Sequence, residues 1–146
     1  MFETPKHRKQ AEAFDSIDTL RHAHLNPRID TPQIVLCGDH SSDKDSLVEA
    51  LTRLPYPKGS WDMQRCATEL IVRHASRTRV RASIRPDPSR VLADVIHLQE
   101  FKYTSQIISH VETLRLFRKA IAHLDQLQSA SGYWYDTLRI EISGPS

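Results

Sequence analysis

A chain of 146 residues suits a single domain with one hydrophobic core. Its 20 Lys and Arg residues against 18 Asp and Glu give a net charge of +2, which is too close to neutral to indicate a nucleic acid or an anionic membrane surface as partner. Two cysteines, an N-terminus without an apolar signal core and no run of ~18 apolar residues predict a cytoplasmic protein with reduced thiols and no direct membrane insertion.

The first part of the chain predicts a helix, a strand and a second helix. Hydrophobic periodicity favours a helix over residues 8–22, within an N-terminal helical segment that we place at residues 1–30. The nearly continuous apolar run at residues 33–37 is typical of a strand buried on both faces, so we expect Cys37 to be an inert core thiol. A polar loop then leads to a helix over residues 46–54.

The second part of the chain predicts strands at residues 68–75 and 78–85, which a short turn would join as a hairpin. Helical spacing follows at residues 91–103 and 105–127, and an alternating strand at residues 138–142. This mixture of elements indicates an α/β fold. We interpret six arginines of this region as a solvated hairpin face: Arg73, Arg77, Arg79, Arg81, Arg85 and Arg90.

Eight residues between the first predicted strand and its helix carry the pattern of a phosphate-binding loop. The full motif is G-x-x-x-x-G-K-[ST], and Gly38 and Lys44 stand where it requires them. Asp43 replaces the second glycine, and Asp45 replaces the hydroxyl residue that binds Mg²⁺. A glycine and a lysine six residues apart also occur by chance, so this loop alone leaves the function open.

Three stretches together resemble the GTPase domain of the dynamin family, in particular the branch common in fungi. Residues 32–51 resemble P-Q-[IL]-V-V-x-G-D-Q-S-S-G-K-S-S-x-L-E-A-[IL], residues 65–70 resemble the C-T-R-F-A-T-E-I segment, and residues 136–145 resemble D-x-L-R-I-E-I-S-G-P. The resemblance implies an incomplete P-loop NTPase of the α/β class, a three-layer fold with a short mixed sheet and flanking helices. It places a partial dynamin-type GTPase domain at residues 31–146.

The resemblance also implies GTP and Mg²⁺ as cofactors and gives roles to the residues at matching positions. The Mg²⁺ position falls on Asp45, and Gln64 stands in place of the family's switch threonine. The phosphate-loop positions are Gly38, Asp39, His40, Ser41, Ser42, Asp43, Lys44, Asp45 and Ser46. The positions that arrange the reaction are His40, Ser41, Gln64 and Arg65.

These substitutions predict the loss of GTP hydrolysis. The carboxylate of Asp43 would approach the phosphates, and one like-charge pair at ~4 Å costs about 4 kcal/mol at an effective dielectric constant of ~20. That cost is nearly three decades in affinity. Asp45 could ligate Mg²⁺, but we favour an N-terminal helix cap for it, and we expect Lys44 to pair with the acids beside it. The chain also ends at Ser146, before the family's D-x-P-G and T-K-x-D segments.

The chain is therefore interpreted as a degenerate, truncated dynamin-like GTPase domain, a pseudoenzyme that serves as an interaction or regulatory module. The alternative is a GTP-binding protein that retains nucleotide binding through residues 38–46, with a role in membrane remodelling or organelle division. Unpaired edges on the strands at residues 33–37 and 138–143 would favour self-association or docking to a dynamin-like protein. Because no aromatic residue is interleaved with the arginines, no nucleic-acid partner is expected.

Overall fold

The computed structural model describes residues 9–10, 12–13, 16–17, 34–38, 43–57, 65–129 and 131–145. The chain divides into two units, residues 1–36 and residues 37–146. In the first unit, the described residues between 9 and 17 are helical, as the periodicity over residues 8–22 predicts. The hydroxyl of Ser16 donates to the carbonyl of Glu12 at 2.8 Å, one turn earlier in that helix.

Four strands of the second unit form one mixed sheet in the order β1-β4-β2-β3. The strands are β1 (Cys66–His74), β2 (Arg79–Arg85), β3 (Lys102–Ser105) and β4 (Trp134–Gly144). β4 runs parallel to β1 and antiparallel to β2, and β3 is antiparallel to β2. This mixed sheet and its helices confirm the predicted α/β class.

The predicted hairpin of β1 and β2 is wrong, because β4 lies between them. The segment that connects β1 to β2 therefore has to cross two inter-strand spacings, roughly 9–10 Å. It crosses them at the end of β4. There the amide of Ala75 donates to the carbonyl of Gly144 at 2.9 Å, and a side chain at Gly144 would meet Thr78. Strand periodicity identifies which face is buried, but not which strand is the neighbour.

The prediction of an exposed edge at residues 138–143 is also wrong. Those residues lie within β4, which pairs with β1 on one side and β2 on the other. Alternate residues of β4 are buried from Trp134 to Ile142, so the centre of the sheet is the position that satisfies both its side chains and its backbone groups. The outer strands of the described sheet are β1 and β3.

Three helices of the second unit can be described: α1 (Lys44–Thr52), α2 (Leu92–Gln99) and α3 (His110–Leu124). The helix predicted over residues 91–103 ends at Gln99, since Phe101 turns into the core and β3 pairs with β2. The helix predicted over residues 105–127 begins at His110. Its N-cap is Ser109, whose side chain accepts a hydrogen bond from the Glu112 amide at 3.2 Å. Every described helix is too short or too polar to cross a bilayer.

The core lies between one face of the sheet and the helices α2 and α3. Leu98 of α2 and six residues of α3 are buried there against alternate residues of β2 and β4. The opposite face of β2 carries exposed side chains, which agrees with the solvated face predicted for Arg79, Arg81 and Arg85. The most buried apolar residues are Leu54, Leu98, Leu116, Phe117, Ala120, Leu124, Leu138 and Ile140.

The strand predicted at residues 33–37 is not present in its described part. Residues 34–38 are neither helix nor strand. The side chains of Ile34 and Val35 are 76% and 77% exposed, and Cys37 is exposed rather than buried. An apolar run becomes a buried strand only where neighbouring strands take up its backbone hydrogen bonds, and the four strands of the described sheet all come from residues 66–144.

Candidate functional site

The described part of the phosphate-binding loop comprises Gly38 and the residues from Asp43 onward. Asp39, His40, Ser41 and Ser42 lie outside the described residues. The ammonium group of Lys44 donates to the carbonyl oxygen of Gly38 at 2.6 Å, so the glycine and the lysine that define the motif meet across the loop. This contact is made to the backbone, and the ion pair predicted for Lys44 with its neighbouring acids stays a prediction.

Two acidic residues stand at the N-terminus of α1. Asp43 is the N-cap residue, although its side chain makes no capping hydrogen bond, and Asp45 belongs to the first turn. The prediction that Asp45 caps the helix is therefore wrong by two positions. Both carboxylates lie at the end of the helix where the backbone dipole favours negative charge.

The backbone at Asp43 does not need a glycine. Its φ is −75° and its ψ is 17°, which any residue adopts, whereas a glycine is favoured only where φ is positive. Among the described residues other than glycine, only Arg53 has a positive φ, at 55°. The difference between Asp43 and the motif's glycine is therefore one of charge and side-chain bulk rather than of backbone strain.

The helix α1 is anchored at its C-terminal end. Arg53 takes a left-handed conformation as the C-cap and donates its amide to the Glu49 carbonyl at 2.8 Å, which directs Leu54 into the core. Tyr56 follows and packs edge-on against Phe117 of α3 with ring centroids 5.2 Å apart. Burial raises the pKa of Tyr56 to about 12, and the charge of Asp45 adds to this effect.

Of the residues predicted to arrange the reaction, only Arg65 is described; Gln64, like His40 and Ser41, lies outside the described residues. The guanidinium group of Arg65 donates to both carboxylate oxygens of Asp125, at 2.8 Å and 3.3 Å. Its Nε donates to the carbonyl of Gly132 at 2.9 Å. These contacts connect the start of β1 to the segment between α3 and β4, which is a structural role that sequence reasoning missed.

Two of the three stretches that carry the family resemblance lie side by side. Residues 66–70 open β1 and residues 136–144 form most of β4, and the two strands are parallel with Glu69 paired to Arg139. At the start of the second stretch, Asp136 is 1% exposed and binds Arg90. Placing Arg90 on the solvated face is therefore wrong, since its side chain is largely buried beside this carboxylate.

No candidate metal centre is found in the part of the chain that the structure describes: no three or more His, Cys, Asp or Glu side chains converge there. Asp45, the predicted Mg²⁺ position, lies in the first turn of α1.

Part of the chain is similar to Mx proteins, which are GTP-binding proteins of the dynamin family. It is 43% identical to the interferon-induced GTP-binding protein MxB of Danio rerio over 56 residues, which is 38% of this chain and 9% of that protein. It is 37% identical to Mx2 of Sus scrofa over 67 residues, 46% of this chain and 9% of that protein. It is 39% identical to the interferon-induced GTP-binding protein Mx of Perca fluviatilis over 62 residues, which is 42% of this chain and 21% of that protein.

The chain thus spans only about a tenth of the length of the first two relatives. No protein-family model matches it, and no solved structure does. The similarity supports a dynamin-like GTP-binding relationship for the matched region. A match to this small part of the relatives does not assign the activity of the full-length proteins to this chain.

Proposed function

We propose that this chain is a dynamin-like GTPase-domain relative that no longer hydrolyses GTP and acts as an interaction or regulatory module. The observation that carries the proposal is the pair of carboxylates, Asp43 and Asp45, at the N-terminus of α1, with Lys44 between them bonded to Gly38. The similarity to the Mx proteins supports the descent from a GTP-binding domain.

Electrostatics argues against a triphosphate on these residues. A helix N-terminus attracts anions, but here the attraction is already used by two carboxylates of the chain itself. A phosphate oxygen at ~4 Å from one of them would meet a repulsion of about 4 kcal/mol at an effective dielectric constant of ~20. Lys44 offsets part of this, but its ammonium group already donates to the Gly38 carbonyl.

The described residues of the loop therefore do not fit GTP and Mg²⁺ in the way that the residues of the full motif would. Among the described residues, Gly38, Lys44 and Ser46 remain from the phosphate-binding set, while Asp43 and Asp45 replace a glycine and a metal-binding hydroxyl. For this reason the role that we propose for the module is binding to another protein and not hydrolysis. A dynamin-like protein of the same cell is the partner that the shared descent suggests.

One alternative retains the nucleotide. Carboxylates are good ligands for Mg²⁺, and a metal ion on Asp45 would cancel part of the repulsion. The similarity to proteins named as GTP-binding favours this second candidate. Under it the chain would bind GTP through residues 38–46 and take part in membrane remodelling or organelle division.

Titration separates the two candidates. Purified full chain is titrated with a fluorescent GTP analogue and Mg²⁺, beside the variant Asp43→Gly/Asp45→Ser, which restores the motif residues. We expect no saturation of the wild type below millimolar nucleotide. We expect at least 100-fold tighter binding by the double variant, because it lacks the two carboxylates, one of which alone would repel a phosphate oxygen by about 4 kcal/mol. Asp94→Ser, which removes an acid from α2 instead, serves as the matched control and is expected to behave as the wild type.

Micromolar affinity or measurable GTP turnover by the wild type would overturn the proposal in favour of the alternative. If neither the wild type nor the double variant binds, the carboxylates are not what prevents binding, and the electrostatic argument fails. Circular dichroism on each variant checks that the fold is retained.

A further inference from the structure

β1 is an outer strand of the described sheet, and it has the features of an edge strand that can pair with a strand of another chain. It is nine residues long and contains no proline or lysine, two of the residues with which proteins commonly protect an edge. Its charged residues are Glu69 and Arg73, and its pairing with β4 shifts register only at the start, between Cys66 and Ala67. Its residue Val72 is 55% exposed. One side of its backbone pairs with β4, and the other side faces away from the described sheet.

We propose that β1 pairs with β1 of a second copy of this chain, antiparallel and about a two-fold axis at Ile71, so that two sheets join into one of eight strands. This inference concerns an interface that the proposed function does not assign. It does not depend on whether the loop at residues 38–46 binds a nucleotide.

The pairing with β4 shows which β1 residues share a face. Glu69, Ile71 and Arg73 are in register with Arg139, Glu141 and Ser143, on the face opposite the core. Leu70 and Val72 are in register with Ile140 and Ile142, on the core face. Since a two-fold axis perpendicular to the sheet preserves the two faces, residues that meet across it must come from the same set.

Centring the axis on Ile71 gives a self-complementary arrangement. Glu69 then faces Arg73 of the second copy, and the same ion pair forms a second time by symmetry. On the core face, Leu70 faces Val72 of the second copy, again twice. Directly opposed side chains in an antiparallel pair have their Cβ atoms about 4.5–5.5 Å apart, which is within reach for both kinds of contact.

Neighbouring registers lack this complementarity. An axis at Glu69 would oppose two carboxylates, and an axis at Arg73 would oppose two guanidinium groups. An axis at Leu70 would place Glu69 against Ile71, and an axis at Val72 would place Arg73 against Ile71. The Ile71 register is therefore the one that gives both charged residues of this face an opposite partner.

Glu69 and Arg73 also have charged partners within their own chain, and their side chains are 27% and 23% exposed. The Oε2 atom of Glu69 lies 3.6 Å from Arg85, which is too long for a hydrogen bond, and it has no hydrogen-bond partner among the described residues. Arg73 lies 3.5 Å from Glu141. In the dimer these charges would form a line of alternating sign across the junction, with Arg85 and Glu69 of one copy followed by Arg73 and Glu141 of the other.

Two charge reversals test the proposal on the full chain without nucleotide. Glu69→Arg opposes two arginines across the axis, and Arg73→Glu opposes two glutamates, so each variant is incompatible with itself. A mixture of the two variants is compatible, because each Arg then faces a Glu. Sedimentation velocity over a range of concentrations measures the dimer, and circular dichroism checks the fold of each variant.

We expect a wild-type dimer, at least tenfold weaker self-association by each single variant, and recovery of the dimer on mixing. Arg79→Glu reverses an exposed charge on the same face of β2, away from the edge, and is expected to associate as the wild type. A wild type that stays monomeric at several hundred micromolar, single variants that associate undiminished, or a mixture that stays monomeric would each overturn the proposal. Growth beyond a dimer would also contradict it, since the two-fold pairing uses up this edge.

Discussion

The guanidinium group of Arg90 holds the buried carboxylate of Asp136 in a bidentate ion pair. Arg90 Nη2 lies 2.6 Å from Oδ2 and Nε lies 3.2 Å from Oδ1. The amide of Asp87 donates to the same Oδ1 at 2.8 Å, and the guanidinium group lies over the ring of Trp134. The loop after β2 is thereby fixed to the start of β4, and hydrogen bonding to Asp136 raises the pKa of Arg90.

Replacing Asp136 by alanine is expected to lower the free energy of unfolding by about 3–5 kcal/mol, because it leaves a largely buried guanidinium group and the Asp87 amide without their acceptor. Urea unfolding followed by circular dichroism measures the loss. The matched control is Asp94→Ala, which removes the more exposed partner of Arg90 at 3.4 Å and should cost less than about 1 kcal/mol. Equal losses in the two variants would contradict the importance given to the buried pair.

Replacing Arg65 by alanine is expected to destabilise the fold by about 1 kcal/mol, a modest loss because Asp125 is nearly half exposed and solvent screens the pair. A double-mutant cycle with Asp125→Ala isolates the interaction, and a coupling of about 0.5–1 kcal/mol is expected. The same change in the Asp43→Gly/Asp45→Ser background should leave nucleotide affinity unaltered. A loss of nucleotide affinity in that background would instead support the role at the reaction site that the family resemblance implies for Arg65.

The two cysteines are expected to differ strongly in reactivity. Cys37 is exposed, whereas Cys66 is 8% exposed, and burial raises the pKa of its thiol to about 11 from an ordinary value of 9.0. At pH 8 a disulfide reagent should therefore modify one thiol per chain quickly and the second only after denaturant is added. Cys37→Ser should remove the fast phase, and fast modification of both thiols in the native protein would contradict the burial of Cys66.

The same shift has a consequence for alkaline stability. Because the folded state favours the protonated thiol, the contribution of Cys66 is fully present below pH 9 and is lost as the pH rises through about 11, roughly 2–3 kcal/mol in all. Unfolding free energy measured from pH 8 to 11 should fall less steeply in Cys66→Ala than in the wild type. Parallel curves for the two proteins would show that the thiol does not couple to folding.

Local patterns in the sequence predict where the elements lie better than how they meet. Period-two alternation correctly places a strand within residues 79–85. Helical spacing identifies Phe117, Ile121 and Leu124 on the buried side of α3 but misses Leu116 and Ala120. The cap signature formed by Ser109 and Glu112 marks the true start of that helix, but a longer apolar run hides it. Four-residue β3 carries too short a pattern to be separated from the end of a helix.

Contacts between distant residues account for most of what the sequence does not predict. Nothing in the spacing of β1 and β2 indicates that β4, more than 45 residues later, enters between them. For the same reason the local sequence places Arg90 on the solvated face, whereas in the fold it binds Asp136 of the distant strand β4. At the candidate site, the hydrogen bond from Lys44 to the Gly38 carbonyl is not predicted by the motif. The motif also does not give the backbone angles at Asp43, which depend on how α1 begins.

The interior position of β4 also governs how the domain is made during translation. In the described sheet β1 pairs with β4 alone, so its partner strand within that sheet becomes available only after residues 134–144 have left the ribosome. Pairing over such a sequence separation raises the contact order and slows folding. For that interval the apolar β1 segment stays open to chaperones and to neighbouring chains on the same polysome.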